Sequence, residues 1–254
     1  MYKVVWVAGM PRSGSMWTFN VVRELVRRAG FRVLPEKVLT SDQEWGAYAN
    51  REIAANDDPG TVFVLKMHAC LHNVPPDNLV ITNIRDIRDA LVSYMRFMHV
   101  DFEKALDVGK VVIGVADHYL NLPEEKRMAL RYDEMTAAPA ATIAHIADRL
   151  GLRIDEATAE DLAAQFSKTK VRALTEGRDQ HYQDLAKQGQ TLVGDDLLCR
   201  ADGVPAAIDW STGFQSDHVS DYQDGAWRQL LSSEQISAMG RAFDAWLMRN
   251  GYAA

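Results

Sequence analysis

The chain has 254 residues, 47% of them hydrophobic and 25% charged, with a formal net charge of -7. That composition excludes a disordered chain, and the acidic balance argues against a nucleic-acid partner and mildly against a highly anionic polysaccharide. No apolar run approaches the ~18 residues of a membrane span, and the two cysteines, Cys70 and Cys199, are too few for a disulfide framework.

Met1 leads almost at once into an apolar run, with no n-region, h-region and cleavage site, which together with the cysteine count predicts a reducing, cytoplasmic setting. Tyr2-Lys3-Val4-Val5-Trp6-Val7 is short, β-branched and aromatic, the pattern of a buried strand. From Thr18 to Ala29, Phe19, Val22, Leu25, Val26 and Ala29 recur at helical spacing. Between the two lies Ala-Gly-Met-Pro-Arg-Ser-Gly-Ser-Met-Trp, residues 8–17. A Gly/Ser/Arg turn from a strand into a helix N-terminus is a phosphate cradle: free N–H groups and the helix dipole face the anion. Gly9 and Gly14 are five apart, as in G-x-x-x-x-G-K-[ST], but Ser15 and Met16 stand where Lys and Ser/Thr belong. An ordinary ATPase or GTPase is therefore disfavoured, and Arg12 supplies the positive charge.

A short strand near 31–34 and a helix near 42–56 follow, the latter opening with Asp42 and Glu44. Thr61 to His68 reads as another strand, ending Lys66-Met67-His68 at its carboxyl end, where open α/β sheets bind ligands. Leu79 to Asn83 is the next strand and runs into Ile84-Arg85-Asp86-Ile87-Arg88-Asp89, with Ser93-Tyr94 beyond. Arg85 offers a planar charged fork and Ser93 a compact hydroxyl, both good phosphate donors; Arg88 and Asp89 read as a solvated helix start. Helices near 86–98, 101–120, 134–150 and 156–166 and a strand near 127–132 complete the alternation. It predicts an α/β fold, a single-domain parallel sheet over 1–254 with helices on both faces. Residues 177–225, rich in Gly, Asp and Gln, read as a long loop or lid. Ser232-Ser-Glu-Gln followed by Ile236, Met239, Phe243 and Leu247 predicts a capped amphipathic C-terminal helix.

Pro11-Arg12-Ser13-Gly14-Ser15-Met16-Trp17 resembles the 5′-phosphosulfate loop of sulfotransferases that use 3′-phosphoadenosine 5′-phosphosulfate (PAPS), of the cytosolic and bacterial types. The stretch from Arg85 to Ser93 resembles that family's 3′-phosphate motif, with its spacing of eight. Lys66 and His68 match a Lys-Thr-His in which the His is the base, Met67 replacing the Thr. Leu130-Arg131-Tyr132 resembles a further segment whose Tyr lies near the nucleotide base, although a tyrosine packed at a strand end fits equally; Ser167 is another nucleotide-side candidate. The resemblance implies a P-loop-like fold and sulfuryl transfer from PAPS to a hydroxyl or amine of a small molecule, without a metal. Arg12, Ser13, Gly14, Ser15, Met16, Trp17, Arg85, Ser93 and Tyr132 would bind the nucleotide. His68 would be the base, with Lys66 and Arg12 stabilising charge; Asp42 and Glu44 are rival bases.

The tail, His218-Val219-Ser220 to Trp227-Arg228, resembles the family's closing segment but departs from it. Ser220-Asp221-Tyr222 stands where Arg-Lys-Gly is usual, and Ala226 replaces an Asp. Lys170, Arg172 and Arg178 are candidates to rebuild the missing cationic clamp. Trp45, Tyr48, Met95, Phe97, Met98, Phe102, Tyr119 and Trp210 are candidates for a partly apolar acceptor pocket. A P-loop small-molecule kinase and a catalytically inactive nucleotide-binding protein remain the alternatives.

Overall fold

The computed structural model describes residues 2–192, 194–199 and 205–252; the side chain of Cys199 lies outside the described part. Its centre is a five-stranded sheet, all parallel, in the order β2-β3-β1-β4-β5. The strands are β1 (Val4–Ala8), β2 (Arg32–Leu34), β3 (Thr61–Met67), β4 (Asn78–Ile84) and β5 (Arg127–Arg131). β1 and β4 are buried along their whole length, as near-continuous apolar strands of a parallel sheet must be. Helices flank the sheet on both faces. α1 (Ser15–Arg28) and α2 (Asp42–Ala55) share one core with β1 and β3, while α3 (Ile87–Met98), α4 (Phe102–Leu120) and the C-terminal helix build a second.

β3 and β4 follow one another in sequence yet lie on opposite sides of β1. The chain therefore reverses its direction of growth at β1, and a crevice opens at the carboxyl ends of these strands. The loop after β1, the Lys-x-His that ends β3 and Arg85 after β4 all emerge there.

The expected helix over 134–150 is two helices, α5 (Tyr132–Ala137) and α6 (Pro139–Arg149). Pro139 lacks an N–H and forces Ala138 out of the helical region, to φ -138° and ψ 66°, so the chain restarts with Pro in the first turn. After α7 (Glu156–Gln165), α8 (Lys168–Lys187) carries the chain well into the stretch expected to be a loop from 177. The polar composition of that stretch belongs to a largely solvated helix. The remainder is a small antiparallel hairpin, β6 (Leu197–Cys199) and β7 (Pro205–Ala207), a strap to residue 226, a short helix α9 (Trp227–Leu230), and α10 (Ser233–Arg249), capped by Ser232 and Gln235 as its sequence predicts.

The strap is fastened to α1 by a buried cation. The Arg23 guanidinium is fully buried and donates to the carbonyls of Ser211 (2.9 Å), Pro35 (3.1 Å) and Glu36 (2.8 Å). Asn20 Nδ2 adds a bond to the Thr212 carbonyl at 2.8 Å, and Val38 N–H donates to the Trp210 carbonyl at 2.9 Å. Charge-assisted bonds to otherwise unpaired carbonyls are among the stronger local contacts a fold can make. Arg23→Ala is therefore expected to lower stability by about 3 kcal/mol and to make residues 205–216 the preferred site of limited proteolysis. Arg23→Lys should recover only part of the loss, because one ammonium cannot span those carbonyls in a planar fork.

Candidate active site

The crevice is a cavity of about 1050 Å³ walled by the β1–α1 loop, the ends of β3 to β5, α2, α3, the start of α8 and the strap. Gly9 starts the loop at φ +144°; a Cβ there would lie 2.5 Å from Thr82 Oγ1. Only glycine allows the loop to lie against β4 this closely. Gly14, at φ +87°, caps α1 without a side-chain hydrogen bond. The N–H groups of Ser15, Met16 and Trp17 are thus first-turn donors with no intrahelical partner and no capping side chain, pointing with the positive end of the helix dipole. Arg12 is held in the left-handed region at φ +61°, which a non-glycine residue adopts only under constraint. Its Nε donates to Ser93 Oγ (3.0 Å), its Nη2 donates to the His218 carbonyl (2.9 Å), and its guanidinium lies 4.3 Å from the Phe97 ring centre.

His68 Nδ1 lies 2.8 Å from the Gly9 carbonyl, and Nε2 lies 2.6 Å from Lys66 Nζ. A carbonyl oxygen can only accept, so Nδ1 carries the proton and Nε2 presents its lone pair to the lysine. The His68 N–H donates to Asp42 Oδ1 at 2.9 Å. Desolvation within the cavity, then the neighbouring Lys66 charge, pushes the imidazole down to about 3. Desolvation likewise pulls Lys66 down to about 8, against the attraction of Asp42. Arg12 falls to about 10 through desolvation and the nearby cations Arg85 and Arg96.

Arg85 stacks on Tyr132, 4.0 Å from the ring centre, donates to the Arg12 carbonyl at 3.3 Å and pairs with Asp224 Oδ1 at 3.0 Å. Its buried Nε has no partner among the described residues. Buried cations with an unfilled donor and a row of free amides fit a phosphorylated ligand.

Of the residues the sequence singled out, Arg12, Gly14, Ser15, Met16, Trp17, Lys66, His68, Arg85, Ser93 and Tyr132 all line this cavity. Ser13 does not: its hydroxyl turns inward onto the Met10 carbonyl at 2.6 Å, which leaves only its backbone for a ligand. Asp42 lines the cavity, whereas Glu44 is spent on the capping box of α2, accepting from Thr40 and Ser41, and is no candidate base. Ser167 lines it while capping α8.

Lys170, Arg172 and Arg178 lie outside the cavity lining. Arg172 pairs with Asp221 and Arg178 with Asp196, so neither rebuilds a clamp. Arg88 and Asp89 are buried rather than solvated. Arg88 lies 4.2 Å from the Trp227 ring centre, and Asp89 accepts from the N–H groups of Gly225 (2.7 Å) and Trp227 (3.5 Å).

Trp45, Phe97 and Met98 line the cavity; Tyr48, Met95, Phe102, Tyr119 and Trp210 do not. Tyr119 and Phe102 are core, and Trp210 turns away to donate to the Asp195 carbonyl at 2.6 Å. Phe214, His218 and Asp224 reach the site from the strap. His218 stacks on Phe97 with ring centres 5.2 Å apart. Only its match to a closing segment pointed to His218, and no local signal pointed to the other two.

The depressed imidazole makes a stability prediction. Between 6.5 and about 3 the unfolded chain binds a proton at His68 that the folded chain refuses, so this residue destabilises the fold as pH falls through that window. Denaturant titrations at pH 7 and pH 5 are expected to show His68→Gln losing about 2 kcal/mol less than the parent between the two. Equal losses would place the imidazole in solvent.

The sequence profile of the sulfotransferase domain matches residues 3–191. No curated protein matches the chain in sequence. Among solved structures, the chain is similar to retinol dehydratase complexed with androsterone and the inactive cofactor PAP (3′-phosphoadenosine 5′-phosphate), at 15% identity and a TM-score of 0.61 over 96% of this chain and 80% of that one. It is also similar to the same enzyme with retinol and PAP, at 16% identity and 0.61 over 96% and 81%. A mouse sulfotransferase complexed with PAP matches at 14% identity and 0.61 over 97% and 84%. The parallel sheet, the glycine-bounded loop and a domain match over most of the length agree, and the chain belongs to the sulfotransferase family.

Proposed function

We propose that this protein transfers a sulfuryl group from PAPS to a hydroxyl or amine of a small, partly apolar acceptor, releasing PAP. The observation that carries the reading is the meeting of Lys66, His68 and the Arg12 loop in one cavity, with the His68 tautomer fixed by Gly9. PAPS supplies the activated sulfuryl group when bound. The first-turn amides of α1 and Arg12 bind its 5′ end; Arg85 and Ser93 bind its 3′-phosphate; Trp17 and Tyr132 flank the base. The PAP-bound relatives support this donor, and the retinol and androsterone held by retinol dehydratase support an apolar hydroxylated acceptor.

In the resting site Lys66 occupies the lone pair that His68 needs. An anion beside the loop draws the ammonium away, because opposite charges in a desolvated site attract far more strongly than an ammonium attracts a neutral ring. Nε2 is then free to take the acceptor proton, while Lys66 and Arg12 stabilise the charge that develops on the leaving phosphate. The work is positioning and electrostatics rather than covalent chemistry. Trp45, Phe97, Met98 and Phe214 form the apolar side of the acceptor region.

Calorimetry with PAP, ATP and ADP, with and without Mg²⁺, tests the class: PAP binding without the metal is expected. Binding confined to ATP with Mg²⁺ would instead make the protein a kinase. Arg85→Ala should weaken PAP by roughly 1.5–3 kcal/mol and adenosine 5′-phosphosulfate, which lacks the 3′-phosphate, much less. Equal losses would remove Arg85 from the 3′ end. His68→Ala is expected to cut turnover by about 10²-fold or more with PAP affinity nearly unchanged, and His68→Gln to behave alike. Retained turnover in either variant shifts the base to Asp42.

A further inference from the structure

The cation assigned to the donor's 3′-phosphate already holds a carboxylate. Arg85 is 7% exposed at its side chain, and its Nη2 pairs with Asp224 Oδ1 at 3.0 Å. Nη1 bonds the Arg12 carbonyl, and Nε is buried with no partner among the described residues. Among the described residues, Arg12 repels this guanidinium, and Asp89 and Asp224 attract it. Asp89 is committed to backbone N–H groups of the tail. Asp224 is 51% exposed and has no such commitment, so its side chain can turn. Its backbone cannot retreat far, because the next residue, Gly225, is tethered through its N–H to Asp89 at 2.7 Å.

A phosphate reaching Arg85 must therefore displace Asp224 or lie against it. Like charges held together in a partly desolvated site are mutually unfavourable. A ribose hydroxyl has the opposite relation to the same group, because it donates a hydrogen bond to the carboxylate. An acidic side chain that accepts from a ribose hydroxyl, and an arginine that accommodates a phosphate at that place, is a recurring pair of alternatives in dinucleotide sites. Here both groups stand side by side.

We propose that Asp224 sets donor selectivity at this end of the cavity: it weakens the 3′-phosphate and admits nucleotides with a free 3′-hydroxyl, adenosine 5′-phosphosulfate among them. The proposal rests on the donor site argued above. Asp221 is the internal control, a second tail carboxylate whose partner, Arg172, lies outside the cavity lining.

The test is calorimetry with PAP and with adenosine 5′-monophosphate (AMP), at one salt concentration, on the parent chain, Asp224→Asn and Asp221→Asn. The substituted residues are solvent-exposed, and thermal melts confirm that each variant folds. The parent should bind the two nucleotides within about tenfold of each other. Asp224→Asn should tighten PAP by about tenfold and leave AMP unchanged or slightly weaker. Asp221→Asn should leave the PAP-to-AMP ratio as it is. If both nucleotides bind and Asp224→Asn shifts them equally or not at all, the selectivity role is refuted and the donor site stands. If neither nucleotide binds any of the three proteins, the donor reading fails and the proposal fails with it.

Discussion

The site hangs on one glycine. Gly9 N–H donates to the Met67 carbonyl at 3.1 Å, and its own carbonyl accepts from His68 Nδ1 at 2.8 Å. Its missing Cβ leaves room for Thr82 and Asn83 on the other side. A single residue thus joins the ends of β1, β3 and β4 and fixes which imidazole nitrogen carries the proton and which the lone pair. Any side chain at this position would separate the loop from β4, and with it Arg12 from Ser93 and His68 from its tautomer-fixing acceptor. The geometry of the cavity and the geometry of the sheet are here the same constraint.

The second organising feature is excess positive charge in a chain of net charge -7. Arg12 and Lys66 are both held below their usual pKa values by desolvation and, for Arg12, by Arg85 nearby. Among the described residues, Arg12 touches a hydroxyl, a carbonyl and an aromatic face, and the attraction of Asp217 is weaker than the repulsion from Arg85 and Arg96. Such an arrangement costs folding free energy and is relieved by an anion. The same desolvation explains why Lys66 leans on a neutral imidazole: Asp42, the carboxylate nearest to that pair, faces the His68 N–H instead.

How much of this was legible in the sequence follows from the range of each contact. The β1–α1 loop, Lys66-Met67-His68 and Arg85 to Ser93 are local patterns that need only a strand end and a spacing, and the fold brings them to one cavity. Glu44 was misread because a carboxylate three residues after Ser41 serves a capping box as well as it serves a base. Arg88 and Asp89 are buried, against expectation, because the end of the strap and the start of α9 that cover them lie far along the chain. Trp227 and Gly225 are 139 and 136 residues from their partners Arg88 and Asp89, and no periodicity encodes such a pairing. The polar run after 177 suggested a loop because a solvated helix and a loop share a composition; α8 continues to Lys187.

The repeated Arg-Asp pairs after β4 therefore divide their work. Arg85 stands before the first turn of α3, at the end of a strand, and faces the cavity. Arg88 and Asp89 lie one helical turn on and face the tail. Asp89 takes the N–H groups of Gly225 and Trp227, which fixes the turn even though Ala226 cannot supply a carboxylate of its own. Burial pushes the Asp89 carboxyl up, against the opposing pull of the backbone donors and Arg85. The backbone of Gly225 and Trp227 is thus held by a rigid helix start, while the Asp224 side chain beside them is half exposed. Asp224 can therefore vary without loosening that turn, and with it varies the charge that the tail adds at Arg85 to those of Arg12 and Asp89.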